Sequence, residues 1–340
     1  MTALPLGLDF VPIWTIILGV GVFFYVLLDG FDLGVGILSG LAPDTPSRNL
    51  AMDSIAPIWD GNETWLVLVS MGLLAAFPIA FAIIIPAVYF PILVMLLSLI
   101  FRGVAFEFRY RDREHRSLWD HGFNYGSVLA TFAQGIVLGA FIQGFRTDGQ
   151  AFTGSSLDCF TPFSLVVGVC LVFGYALLGA GWLVLKTTGQ MQSWARTHAR
   201  WAFLGVCASV LVVSIWTPIA FTDIRSRWFS WPNFGLLAPV PIVTALVAWL
   251  EWRTLNRPDS EVGPFIGAIA LFMMSYLGLV IGLFPYVVPY RLTLWQAASP
   301  PSTQAFLLVG TLFLLPVILM YTGWSYWVFR GKVRADAGYH

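Results

Sequence analysis

Four acidic residues stand where a bilayer penalises them. Asp29 and Asp32 lie near the far end of the apolar run from Ile13 to Leu41, and Asp60 and Glu63 open the next apolar run. A carboxylate at membrane depth costs several kcal/mol, so acids placed there usually face a protein interior or a water path and serve ion or proton movement. Asp29 and Asp32 are three positions apart and share a helix face. Gly30 and Gly34 have the GxxxG spacing that admits a second helix at close range, which would shield the acids from lipid. The chemistry this pattern offers is uptake and release of protons by carboxylates gathered at one depth. Two structural readings compete with it. A helix ending near Leu28 would leave the DGFD segment merely solvated. Asp60 followed three residues later by Glu63 also has the spacing of an acidic capping box, and capping alone would account for Glu63.

Other chemistries are poorly supplied. Haem needs an axial His, Met, Cys or Tyr inside a bundle, but the four histidines, at 115, 121, 198 and 340, fall in loops, at helix ends or in the tail. Met71, Met95, Met273, Met274 and Met320 sit in apolar runs, where a lone Met usually packs. Cys159, Cys170 and Cys207 have neither CxxC nor Cys/His spacing, so nothing supports a disulfide framework or a zinc site. Phosphate-loop, dinucleotide, GxSxG and HExxH motifs do not occur.

The elements that must position these acids are membrane helices. Of the 340 residues, 58% are apolar and 11% charged, too little charge to clothe a soluble surface. The net charge of zero gives no indication of nucleic acid. Runs of about 20 apolar residues, long enough for the ~30 Å hydrocarbon core, recur throughout. Nine are counted: Ile13 to Leu41, Trp59 to Phe77, Ile79 to Phe101, Gly122 to Phe145, Phe163 to Leu185, Trp201 to Phe221, Phe234 to Trp252, Phe265 to Val288 and Ala305 to Phe329. Pro78 marks a tight joint between the second and third. Pro239 and Pro241 are compatible with the seventh only in its first turn. The first run lacks a basic leader and a small-residue cleavage pattern, so it reads as a retained helix. No linker interrupts residues 1–340, which read as a single transmembrane domain.

Lys and Arg accumulate in cytoplasmic loops. Nine crossings put 14 of the 18 basic residues on one side: Arg48, the five Arg of RGVAFEFRYRDREHR, Lys186, Arg196, Arg200, Arg253, Arg257, Arg330, Lys332 and Arg334. The N-terminus is then outside, the C-terminus is inside, and all four acids lie toward the cytoplasm. The arginines of the Arg102 to Asp120 connection read as a topology anchor with snorkelling side chains. Trp182, Trp216, Trp228, Trp231, Trp249, Trp252, Trp324 and Trp327 fall near predicted helix ends, as an interfacial belt would.

DGFDLGVGIL, SIAPIWDGNETWL, SLIFRGVAFEFR, GLFPYVVP followed by LTLW, and LMYTGWSYW occur in order from the first helix to the last. Together they resemble subunit II of the cytochrome bd-type quinol oxidases. The resemblance implies an all-α polytopic fold of two four-helix bundles plus one peripheral helix, in a bacterial inner membrane. It implies a heterodimer whose subunit I carries two b-type haems, one haem d and the quinol-oxidising loop, while subunit II lacks haem, stabilises subunit I and supplies a cytoplasmic proton entry. By motif, the entry acids carry over to Asp29, Asp32 and Asp60, with Glu63 beside them, and Trp59 matches an aromatic associated with quinone or with that pathway. A structural quinone, bound phospholipids and a small single-helix accessory subunit belong to some such complexes. The short connection between the sixth and seventh runs, and Glu63 and Thr64 where other members have Gln and an apolar residue, resemble the cyanide-insensitive branch. From the residues alone, a stand-alone proton- or cation-coupled transporter is the competing reading, and a scaffold without a proton path is a third.

Overall fold

A computed structural model describes residues 9–112 and 114–333. Arg113, Arg334 and His340, which enter the charge and histidine counts above, lie outside the described residues. Only helices close every backbone hydrogen bond within one apolar segment, and helices dominate. They are α1 (Val11–Ser39), α2 (Thr45–Asp53), α3 (Trp59–Ala76), α4 (Pro78–Ala87), α5 (Tyr89–Arg111), α6 (Arg116–Gln143), α7 (Pro162–Lys186), α8 (Gly189–Ala220), α9 (Thr222–Trp228), α10 (Asn233–Leu237), α11 (Pro239–Leu255) and α12 (Gly263–Leu283). A two-stranded hairpin, β1 (Tyr286–Val288) with β2 (Leu292–Thr293), then leads through α13 (Leu294–Ala297) to α14 (Pro301–Val328).

Among the described residues, eight helical stretches are long and apolar enough to cross a membrane: α1, α5, α6, α7, α8, the α10–α11 stretch, α12 and α14. The remaining expected crossing is α3, whose first turns, WDGNET, lower its apolarity. It nevertheless spans the same depth as α1. Near one end Ser299 N–H donates to the Ala76 carbonyl and Trp14 Nε1 donates to the Gln304 carbonyl, while near the other Asn62 bonds Asp32 and Tyr326. Thus α3 runs antiparallel to α1 from the level of Asp32 to that of Trp14. Helices α1, α3, α5 and α6 form the first bundle, and α7, α8, α11 and α12 the second. The two are joined where α1 and α6 pack on α7, and α14 lies outside both, against α3.

The junction depends on glycine. A Cβ on Gly34 would lie 1.9 Å from the Tyr175 carbonyl oxygen, and one on Gly179 would lie 2.3 Å from the Gly34 carbonyl carbon. The GxxxG stripe therefore brings α1 and α7 into backbone contact, as expected. Pro239 and Pro241 do fall in the first turn of α11.

Several expectations are corrected. The third run is not one helix from Ile79 to Phe101, because α4 and α5 break at Val88. Pro91, in the first turn of α5, has no N–H to bond the Ala87 carbonyl and its ring crowds that carbonyl, which ends α4 there. Helix α5 then continues to Arg111, so most of the supposed arginine loop is helical. Arg102 and Arg109 are buried rather than snorkelling. The eighth run ends as a helix at Leu283 and passes into β1. Trp182 is not interfacial, being stacked on Phe31 in the core with a centroid separation of 4.4 Å. His198 lies within α8 rather than in a loop.

Candidate functional site

Helix α1 does not end at Leu28. It continues for another eleven residues to Ser39, and from Asp29 to Gly36 every residue is buried, which removes the reading of DGFD as a solvated boundary. Around Asp29 and Asp32, α1 packs on α3, α6 and α7, and α5 reaches in through Arg102. At ~1.5 Å of rise per residue, Asp29 lies roughly 15 Å along α1 from its Ser39 end.

Each acid has a different partner. Arg102, from α5, approaches Asp29 with Nη1 3.5 Å from Oδ1, and both side chains are buried. Its guanidinium also lies 5.8 Å from the ring centroids of Trp59 and Phe123. Asp32 accepts a 2.7 Å hydrogen bond on Oδ2 from Asn62 Nδ2, and Tyr326 of α14 donates to Asn62 Oδ1 at 2.9 Å. The remaining carboxylate oxygens, Asp29 Oδ2 and Asp32 Oδ1, and Arg102 Nε and Nη2 have no partner among the described residues. Two carboxylates with unshared oxygens near one cation form a site that can take up a proton, since an ionised carboxylate is acceptor-only until protonated.

One turn before Asp29, on the same face, Tyr25 begins a polar line toward α7. Gln134 Nε2 donates to the Tyr25 hydroxyl at 2.7 Å, and the Tyr175 hydroxyl donates to Gln134 Oε1 at 2.8 Å. With its oxygen accepting from Gln134, Tyr25 keeps its own hydrogen for donation.

Asp60 and Glu63 are placed differently. Asp60 is exposed in the first turn of α3, where the positive end of the helix dipole favours an acid. It does not join the buried pair. Glu63 is half-buried one turn deeper. The capping-box reading fails because the residue at the N-cap is Ile58, with no side-chain cap. Trp59 packs against Phe106 at 5.5 Å and faces Arg102.

A second basic cluster closes the Ser39 end. Asp120 is shared by Arg48, at 2.8 Å, and Arg109, and Asn49 accepts from Arg109 and Arg116. Arg48 Nε also donates to the Ser39 carbonyl at 3.0 Å, where a cation complements the negative end of α1. These bonds pin α2 across the ends of α5 and α6. Among the described residues, His115 and His121 are exposed, and the His198 ring bonds the Trp194 carbonyl of its own helix.

The model of the family described as cytochrome bd terminal oxidase subunit II matches residues 11–329. The chain belongs to this family. It is 28% identical over 361 aligned positions to the cytochrome bd-I ubiquinol oxidase subunit 2 of Escherichia coli K12, with 95% of each chain covered. It is 27% identical over 332 positions to the cytochrome bd ubiquinol oxidase subunit 2 of Bacillus subtilis 168, covering 94% of this chain and 96% of that one. A chain in the structure of the bd oxidase from Geobacillus thermodenitrificans shares the fold, with a TM-score of 0.77 at 17% identity, over 95% of this chain and 99% of that one. Membership in this subunit family replaces the stand-alone transporter reading.

For a subunit II chain, the residues that sequence reasoning missed are the partners of the acids. Arg102, Asn62, Tyr25, Gln134, Tyr175 and Tyr326 were not singled out. Arg102 and Arg109 stand seven apart, with Ala105 and Phe106 on the same helical face. That spacing was the available sign of an inward-facing stripe.

Proposed function

We propose that the chain is the haem-free subunit II of a quinol:oxygen oxidoreductase in a bacterial cytoplasmic membrane, where it stabilises subunit I and admits cytoplasmic protons for reduction of oxygen to water. The observation that carries this reading is the run of polar groups from the surface inward: exposed Asp60, half-buried Glu63, the buried pair Asp32 and Asp29, then Tyr25, Gln134 and Tyr175. Asp60 takes protons from water and Glu63 lies between it and the interior. Asp32 and Asp29 hold protons beside Arg102, and Trp59 covers that guanidinium. The haems and the quinol-oxidising site belong to subunit I in this reading, and the exposed apolar flanks of the helices meet that subunit, lipid or an accessory helix. With 14 of 18 basic residues on one side, that side is cytoplasmic and the N-terminus faces out.

The test is quinol-driven oxygen uptake by the purified complex, normalised to haem. Asp29→Asn lowers the rate about tenfold or more, the scale of losing a proton-transfer group, and Asp60→Asn, at a site open to water, lowers it less. Assembled, haem-complete variants that both run at the wild-type rate would leave subunit II a scaffold.

A further inference from the structure

The peripheral helix α14 touches the first bundle through a polar contact beside the acid pair. Its outward residues are large and apolar, among them Phe313, Met320 and Trp324. Toward α3, however, it presents Thr322, Ser325 and Tyr326 to a crevice that also borders Gly61 and Asn62. That crevice has a volume of about 10 Å³, roughly the room one water requires. Hydroxyls and a carboxamide line its wall, so it can hold that water, whereas an apolar gap would stay dry. At its inner end Asn62 is 1% exposed and holds Asp32 Oδ2, while Asp32 Oδ1 is buried without a partner. At 3.6 residues per turn Asn62 stands about 160° around α3 from Asp60 and about 100° from Glu63, and Tyr326 reaches it from α14.

We propose that the crevice between α3 and α14 is a second water entrance, leading to Asp32, and that Tyr326 is its positioning residue acting through Asn62. The inference rests on the proton-entry reading above. A carboxamide does not relay a proton, so the proton travels on water. As an O–H bond of the crevice water breaks and the bond to Asp32 Oδ1 forms, that water takes a proton from the aqueous phase in the same relay, so no hydroxide is left behind. Asn62 fixes Oδ2 by donating to it, which leaves Oδ1 as the acceptor. Tyr326, by donating to Asn62 Oδ1, fixes which way the amide points. Without that hydroxyl the amide can turn its oxygen toward the carboxylate, and the site loses its orientation.

The test uses the intact oxidase complex in membrane vesicles with the cytoplasmic face outward. Ser325→Cys is treated with a water-soluble, negatively charged thiosulfonate, and Gly310→Cys on the outer part of α14 serves as the control for modification at the native cysteines and in lipid. Modification at Ser325→Cys is expected to lower oxygen uptake fivefold or more, reversibly with a reducing thiol, while Gly310→Cys keeps its rate. Tyr326→Phe preserves the ring against Phe31 and Trp182 and is expected to lower kcat severalfold at unchanged quinol KM, with a larger solvent deuterium isotope effect. Phe265→Leu, which loosens the same aromatic stack but keeps the hydroxyl, leaves that isotope effect unchanged. Failure of Ser325→Cys to react, a full rate after its modification, or a wild-type isotope effect in Tyr326→Phe would each overturn the entrance. Asp32→Asn measured alongside separates the two claims. A slow Asp32→Asn with an unaffected crevice removes only this inference, and a fast one removes the acid's role in proton entry itself.

Discussion

Asp29 in the first bundle and Glu251 in the second are equally withdrawn from water, each 1% exposed, yet their surroundings differ in kind. Asp29 faces a cation on a neighbouring helix and lies one turn from the hydrogen-bonded line of Tyr25, Gln134 and Tyr175. Glu251 sits in a notch made by Gly267, where a Cβ would lie 1.8 Å from its Oε2. That oxygen accepts only from Thr254 on its own helix, at 3.1 Å, and Oε1 has no partner among the described residues. Arg196 donates its guanidinium to the carbonyls of Thr254, Pro258 and Ser260 rather than to the acid. Burial of a carboxylate therefore does not by itself mark a path. What distinguishes the first bundle is its partners: Asp29 and Asp32 each have a polar neighbour on another helix.

The comparison can be broken at its strongest point first. Removing Arg102 leaves Asp29 buried without its counter-charge, and breaking such a pair costs roughly 3–5 kcal/mol. Arg102→Met is accordingly expected to lose most of the assembled complex, measured as haem per membrane protein. Gly34→Ala forces a Cβ into the α7 backbone, and overpacking of this kind costs roughly 1–3 kcal/mol. A lowered melting temperature of the purified complex checks it. Glu63→Gln keeps shape but cannot take up a proton, and oxygen uptake is expected to fall about threefold, less than for the buried acids because water reaches a half-buried site. Smallest of all is Glu251→Gln, which is expected to stay within about twofold of the wild-type rate, since an amide there loses no transfer step. A large loss there, with assembly intact, would erase the distinction between the bundles.

Much of this arrangement is legible in the sequence, for physical reasons that also explain the rest. Hydropathy and the sided distribution of Lys and Arg expose the crossings because the bilayer acts on each segment independently. The positions of Asp29, Asp32, Gly30 and Gly34 follow from helical periodicity alone. Partners come from other helices, and nothing local announces them. Arg102 illustrates the point. Judged by the rule for cytoplasmic loops it anchors topology, whereas its helix extends to Arg111 and turns it inward onto Asp29. Asn62 was hidden in the same way, because its partners Asp32 and Tyr326 come from α1 and α14. The break at Val88 had a local sign in Pro91, and the inward turn of Trp182 had none, since its ring partners Phe31, Phe265 and Tyr326 come from three other helices.

The most direct test of the proton path is the rate at which protons disappear from the cytoplasmic side. In vesicles with that face outward, a pH indicator in the external medium follows proton uptake as oxygen is admitted to the quinol-reduced complex. Asp29→Asn should slow that uptake about tenfold or more at full haem content, and Glu251→Gln should leave it unchanged. Equal uptake rates in wild type and Asp29→Asn would contradict the account.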